Sequence, residues 1–270
     1  MTDRAVILAA GRGTRMRVPA AAVPMDAAQR DMAERGLKGL IPFHGHPFLA
    51  HAVTALADAG IREVCLVVGP GDDAVRATFA AMPATRVHFS FAVQEAPRGS
   101  AHALLAAAAF AGEASFLVVN ADNLYPPAVV RPLLRMAGPG FAGFRRQALI
   151  DGGAIPPDRV AAYAIVTTDD DGSLTDIIEK PAPAELRRFA GIGWISMTCW
   201  RFGPAIFEAC RRVTPSGRGE LELPDAVRLA ATTLGYRIRV VPVGDAVLDL
   251  SRPEDIPVVD RRLRDARVKL

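Results

Sequence analysis

The chain has 270 residues, half of them hydrophobic, and carries 32 Lys and Arg against 29 Asp and Glu, a net charge of +3. This supplies one large core, expected as a single domain over 1–270, and the mild charge favours a solvated surface over a nucleic-acid patch. Apolar runs break well short of a membrane span, residues 1–10 run strand-like into a glycine turn unlike a secretory leader, and Cys65, Cys199 and Cys210 lack CxxC spacing, so a cytoplasmic setting with packing thiols is expected.

In chain order, "RAVILAA" from Arg4 reads as a strand. The long segment Val18–Gly36 reads as a loop with a short helix over "DAAQRDMAER". "PFLAHAVTALADAG" from Pro47 has helical spacing, with Pro at its start and Gly60 at its end. "REVCLVVG" is an apolar run suited to a strand covered on both faces. "DDAVRATFAAM" reads as a helix, "RVHFSFAV" as a strand, "SAHALLAAAAFAG" as an Ala-rich helix and "SFLVVNAD" as a buried strand ending at Asp122. This alternation predicts an α/β fold with a doubly wound, mixed and mostly parallel sheet.

The second half changes pattern. "RVAAYAIVTTDDDGSLTDIIEKP" from Arg159 reads as two strands joined at Asp171-Gly172. "GIGWISMTCWRF" from Gly191 and "RIRVVPV" from Arg237 read as strands. "PAIFEACRRV" and "LPDAVRLAATTLG" read as helices, and a last helix follows Pro253, its arginines forming a solvated face. His44 and His46 in "FHGHP" lack a third ligand, and a turn explains them.

"LAAGRGTRM", from Leu8 to Met16, follows the first strand. A dinucleotide fingerprint needs a third glycine, where Met16 stands, and an acidic residue ending the second strand, which ends Val-Val-Gly. A P-loop needs GxxxxGK[ST], also absent. What remains is a turn whose small residues admit a polyphosphate to the backbone, with Arg15 able to grip it. Lys38, Gln94, Asp122, Asn123, Glu179, Lys180 and Asp249 all fall at or near expected strand ends, where open α/β sheets bind ligands.

With these motifs on the page, the chain resembles the sugar-1-phosphate nucleotidyltransferases from Ala5 to about Ile256. "LAAGRGTRM" is similar to the family's LAAGxGTRL, "KGLIP" to KxxxP, "QEAPRGSAHAL" to its base-binding segment, "NADN" to GDN and "IIEKP" to EKP. "ISMTCWRF", "GELELPDAV" and "LDLSRPEDI" resemble three further signatures. The resemblance implies a Rossmann-like nucleotide-diphospho-sugar transferase fold, with a nucleotide-binding half over 1–125 and an acceptor-binding half over 126–270. It implies transfer of a nucleotidyl group from an NTP to a sugar-1-phosphate or related phosphomonoester, with Mg²⁺ held by Asp122 and Asp249. Leu8, Ala9, Ala10, Gly11, Gly13, Thr14, Arg15, Gln94, Gly99 and Ser100 would then bind the nucleotide. Arg15, Lys38, Asp122 and Lys180 would be catalytic, while Asn123, Glu179, Lys180 and Trp194 would meet the acceptor. Membrane and nucleic acid are not expected as partners, and a homo-oligomer is expected by analogy.

The chain departs from the family pattern at Ala121, Thr198 and Ser251-Arg252, each replacing a small family residue, and in the longer Val18–Gly36 segment. Ala-Asp-Asn is also similar to phosphocholine cytidylyltransferases of the same fold, which makes a non-sugar phosphomonoester the alternative acceptor. A catalytically silent nucleotide-binding relative and a nicotinamide oxidoreductase are the competing classes; the absent third glycine disfavours the latter.

Overall fold

In the computed structural model, residues 2–18, 23–153, 155–189, 191 and 193–270 are described. Positions 19–22 of the long segment and Ile192, in the strand expected from Gly191, lie outside them. Nine strands form one sheet: β1 (Arg4–Leu8), β2 (Glu63–Val68), β3 (His88–Val93), β4 (Phe116–Asn120), β5 (Gly140–Phe144), β6 (Ala164–Thr168), β7 (Leu174–Ile178), β8 (Trp194–Phe202) and β9 (Arg239–Val243). The path runs β7-β6-β8-β4-β1-β2-β3, with β5 on β8 and β9 on β5. β7 and β8 run against the rest, so the sheet is mixed and mostly parallel.

The β1, β2 and β4 runs are unbroken apolar because both faces are covered. Side chains alternate between two cores. Ile7, Leu66 and Val119 face α2 (Phe48–Ala59) and α6 (Pro127–Arg135); Val6, Cys65 and Val118 face α4 (Ser100–Ala106), α10 (Ile206–Arg212) and α11 (Leu223–Thr232). A third cluster joins Met16, Phe43, Phe48, Leu250 and Ile256 beneath the glycine loop. Met16, where the dinucleotide fingerprint wants glycine, is thus a buried anchor, 1% exposed.

The long segment carries α1 (Ala27–Glu34). Asp26 caps it, accepting from Gln29 N at 2.8 Å while Gln29 Oε1 accepts from Asp26 N at 3.2 Å. The glycine loop itself leads into a turn, with Met16 N and Arg17 N donating to Gly13 O, and not into a helix. The Ala-rich helix divides at Ala107 into α4 and α5 (Ala108–Ala111). The strand expected from Arg159 begins only at Ala164: Pro156-Pro157 starts α8 (Pro157–Ala161), which follows α7 (Arg146–Asp151). Helices α3 (Asp73–Ala81), α9 (Pro183–Arg188) and α12 (Ile256–Leu263) are the remaining α-helices among the described residues. No helix among the described residues is long and apolar enough to cross a membrane.

Candidate active site

The crossover puts the carboxyl ends of β1 and β4 side by side at the middle of the sheet. A cavity of about 520 Å³ opens there. Leu8, Ala9, Ala10, Gly11 and Thr14 form one wall and Lys38 and Asp122 another; Gln94, Gly99 and Ser100 also line it. Ten of the sequence-derived candidates therefore share one space.

Glycine is required at two points of its frame. Gly13 has φ +60°, and a Cβ there would stand 2.1 Å from Gly36 O. The glycine loop and the end of the long segment thus pack backbone to backbone, and Arg17 Nη2 donates to Arg35 O at 2.9 Å across the same seam. Gly99 has φ +110°, and its Cβ would meet Leu221 O at 2.4 Å. That contact seats Glu220 on the cavity wall. Two other candidates are tied to this frame. Gln94 Nε2 donates to Gly99 O at 3.0 Å, and Ser100 Oγ accepts from Leu223 N at 2.8 Å, so both fasten elements as well as line the space.

Lys38 Nζ donates to Asp122 Oδ2, placing a cation and a carboxylate together on the cavity wall. Asp122 is followed by a two-residue strand, Asn123–Leu124, which pairs antiparallel with Leu248–Asp249. Leu250 N donates to Asp122 O at 2.8 Å. This small sheet brings the two carboxylates, far apart in the chain, into one neighbourhood.

Asp249, however, is 6% exposed and does not line the cavity. Its Oδ1 accepts from Ser251 Oγ at 2.8 Å and Asn123 Nδ2 at 3.1 Å; its Oδ2 accepts from Arg159 Nη2 at 2.7 Å and Tyr163 Oη at 2.8 Å. Burial and then the charge of Asp122 push its pKa up, against the pull of Arg159. Hydrogen-bond donors thus occupy about four acceptor positions, which is the capacity of a carboxylate. The expected two-carboxylate cation site fits at Asp122, which opens to the cavity, but not at Asp249 as it stands. Among the described residues no group of three or more His, Cys, Asp or Glu is arranged to hold a metal ion.

The acceptor-side candidates lie apart from the cavity lining. Asn123 is 5% exposed beneath it. Trp194 is buried, with the Arg145 guanidinium 4.0 Å over its ring. Lys180 is exposed, with φ +49°. Burial, followed by the charge of Glu222, pushes Glu179 up to about 7, while Arg218 and Arg15 pull it down. Arg15 and Arg218 are therefore within electrostatic reach of Glu179. Arg15 is exposed and does not line the cavity.

Sequence reasoning passed over Arg159, Tyr163 and Arg218. Arg159 and Tyr163 stood in a stretch read as strand, and Arg218 in the turn before α11. Their importance arises only from tertiary placement.

Residues 4–241 match the family model described as nucleotidyl transferase, and the chain belongs to that family. Among curated relatives, UTP–glucose-1-phosphate uridylyltransferase AglF of Haloferax volcanii is 29% identical over 268 residues, 97% of either chain. Glucose-1-phosphate thymidylyltransferase of Streptomyces griseus is 30% identical over 226 residues, covering 83% of this chain and 56% of that one. The fold is shared with UDP-glucose pyrophosphorylase complexed with UDP-glucose: TM-score 0.75, 99% of this chain and 100% of that one, at 20% identity.

Proposed function

We propose that the chain joins an NTP to a sugar-1-phosphate, releasing pyrophosphate and forming a nucleotide sugar. The observation that carries this reading is the facing of the glycine loop and the Lys38–Asp122 pair across one cavity. An oxygen of the acceptor phosphate attacks the α-phosphorus, that P–O bond forms, and the bond to the β-phosphate oxygen breaks. The attacking oxygen is already anionic, so no protein nucleophile or general base is needed. The barrier to be lowered is repulsion and misalignment between two polyanions.

The chain's residues suit that task. Gly11, Arg12 and Thr14 line the space the triphosphate would enter, with exposed Arg15 next along the chain. Lys38 stands where negative charge grows on the transferring phosphoryl group, and Asp122 holds the ammonium in place until then. Lys180 and Arg15 offer cations on the Glu179 side, and Glu179 offers an acceptor for sugar hydroxyls. Mg²⁺ bound against Asp122, with phosphate oxygens and water completing its shell, would neutralise phosphate charge.

Two relatives are named for glucose-1-phosphate, which supports a sugar-1-phosphate as the acceptor. The Arg145 guanidinium over Trp194 supports the same choice against a quaternary-ammonium acceptor, since it covers the aromatic face such a cation would seek. The test is a panel of NTPs and sugar-1-phosphates scored by pyrophosphate release. Release is expected with at least one pair, to need both substrates and to stop on chelation of divalent ions. Tight nucleotide binding without release from any pair would overturn the reading.

A further inference from the structure

We infer that Arg159 stands in for a bound cation at Asp249, leaving Asp122 as the carboxylate through which a divalent ion enters the site. The inference rests on the cation-side reading of Asp122 and Asp249 given above. Arg159 comes from α8, between β5 and β6, and is 7% exposed. Its Nη2 lies 2.7 Å from Asp249 Oδ2 and its Nη1 2.7 Å from Asp255 Oδ1. Asp255 Oδ2 in turn accepts from Ser251 N and Arg252 N, each at 2.8 Å. The guanidinium thus clamps both ends of the turn that follows Asp249.

Three features make this an occupied cation position. First, a guanidinium stays charged at any pH the protein survives, so it leaves Asp249 only by movement. Second, moving it would strand a buried charge beside Asp255, a costly outcome. Third, charge is already nearly balanced: Lys38 and Arg159 face Asp122, Asp249 and Asp255, leaving one negative charge over. Among the described residues Arg159 Nε is buried with no hydrogen-bond partner, and the guanidinium's hydrogen bonds go to the two carboxylates. A divalent ion approaching the nucleotide-free protein meets Asp122, already paired with Lys38, and finds no open lone pair on Asp249. The ligands that would make binding favourable arrive with the triphosphate. The geometry therefore predicts a cation requirement that is created by the nucleotide.

Mn²⁺ titration of the nucleotide-free protein, read from the electron paramagnetic resonance of free Mn²⁺, tests this without any substrate turning over. Failure of this inference is therefore distinguishable from failure of the pyrophosphate-release panel. Wild type is expected to show no saturable site at millimolar Mn²⁺. Arg159→Met is expected to gain a saturable site, half-filled at a Mn²⁺ concentration roughly tenfold or more below the highest at which wild type shows no saturation, once the opposing charge is gone. Arg159→Lys, which keeps the charge, is expected to gain none, and adding Asp249→Asn to Arg159→Met should abolish the gain. A wild-type site that Asp249→Asn removes would overturn the inference, as would a folded Arg159→Met protein that binds no better than wild type. If near-ultraviolet circular dichroism shows Arg159→Met unfolded, the first comparison decides alone: unsaturated isotherms for wild type and Asp249→Asn alike support the inference, and a saturable site in wild type contradicts it.

Discussion

Thr198 has φ +59° at the irregularity in β8 between Ser196 and Trp200, a conformation in which a β-branched residue is strained. Tyr125, fully buried, donates its hydroxyl to Met197 O and reaches Thr198 O at 3.2 Å, holding the bulge in place. Thr198→Gly is expected to raise stability by about 0.5–1 kcal/mol, the relief of strain exceeding the added unfolded-chain entropy. Equal or lower denaturant midpoints would show that the hydroxyl and methyl packing outweigh the strain. Glu179 gives a pH prediction. Its pKa is raised from 4.5 to about 7 in the folded state, so its contribution is complete below about pH 4.5 and lost as pH rises through about 7. Glu179→Gln should match wild type in stability near pH 4.5 and exceed it by about 1–3 kcal/mol at pH 8. A constant difference across that range would place the carboxyl in water. Lys180→Ala should raise the KM for the sugar phosphate by roughly tenfold while leaving that for the NTP within a factor of about two, as loss of one charged phosphate contact implies. An equal rise in both would move Lys180 off the acceptor side.

At the scale of elements, the glycine loop is held by what packs behind it. Gly13→Ala would force a Cβ into Gly36 O and strain φ +60°, so a loss of about 2 kcal/mol or more is expected in denaturant unfolding. Gly11→Ala meets nothing within 4 Å, so it should change stability by less than about 0.5 kcal/mol while placing a methyl group in the cavity. Reversal of that order would mean the Gly13–Gly36 contact is not a constraint. The same contrast marks what the sequence could disclose. β1, β2 and β4 were legible because full burial writes an uninterrupted apolar run. β5 was not, because Gly140 and Gly143 break that signal. A Cβ at Gly143 would lie 2.4 Å from Val240 Cγ2, so packing demands the residue that hides the strand. α8 was missed because its five residues are too short to show a helical period.

Over the whole molecule, the candidate site lies where distant segments meet: Lys38 before α2 and Asp122 after β4 line the cavity, and Asp249, far along the chain, is buried beside Asp122. The resemblance of the motifs to a known family named these residues; their spacing alone marked only polar groups at strand ends. It could not show that Asp249 would be filled by Arg159, because that pairing joins α8 to the end of the chain and leaves no local mark. The proposed nucleotidyl transfer between the glycine loop and the Lys38–Asp122 pair makes the charge of Asp122 indispensable. The most direct measurement is the single-turnover rate of pyrophosphate release, in wild type and Asp122→Asn, with the best substrate pair from the panel. The variant is expected to keep wild-type circular dichroism while its rate falls by roughly 10²-fold or more, because charge is lost from the transfer site and not volume from the core. A folded Asp122→Asn protein turning over at the wild-type rate would contradict it.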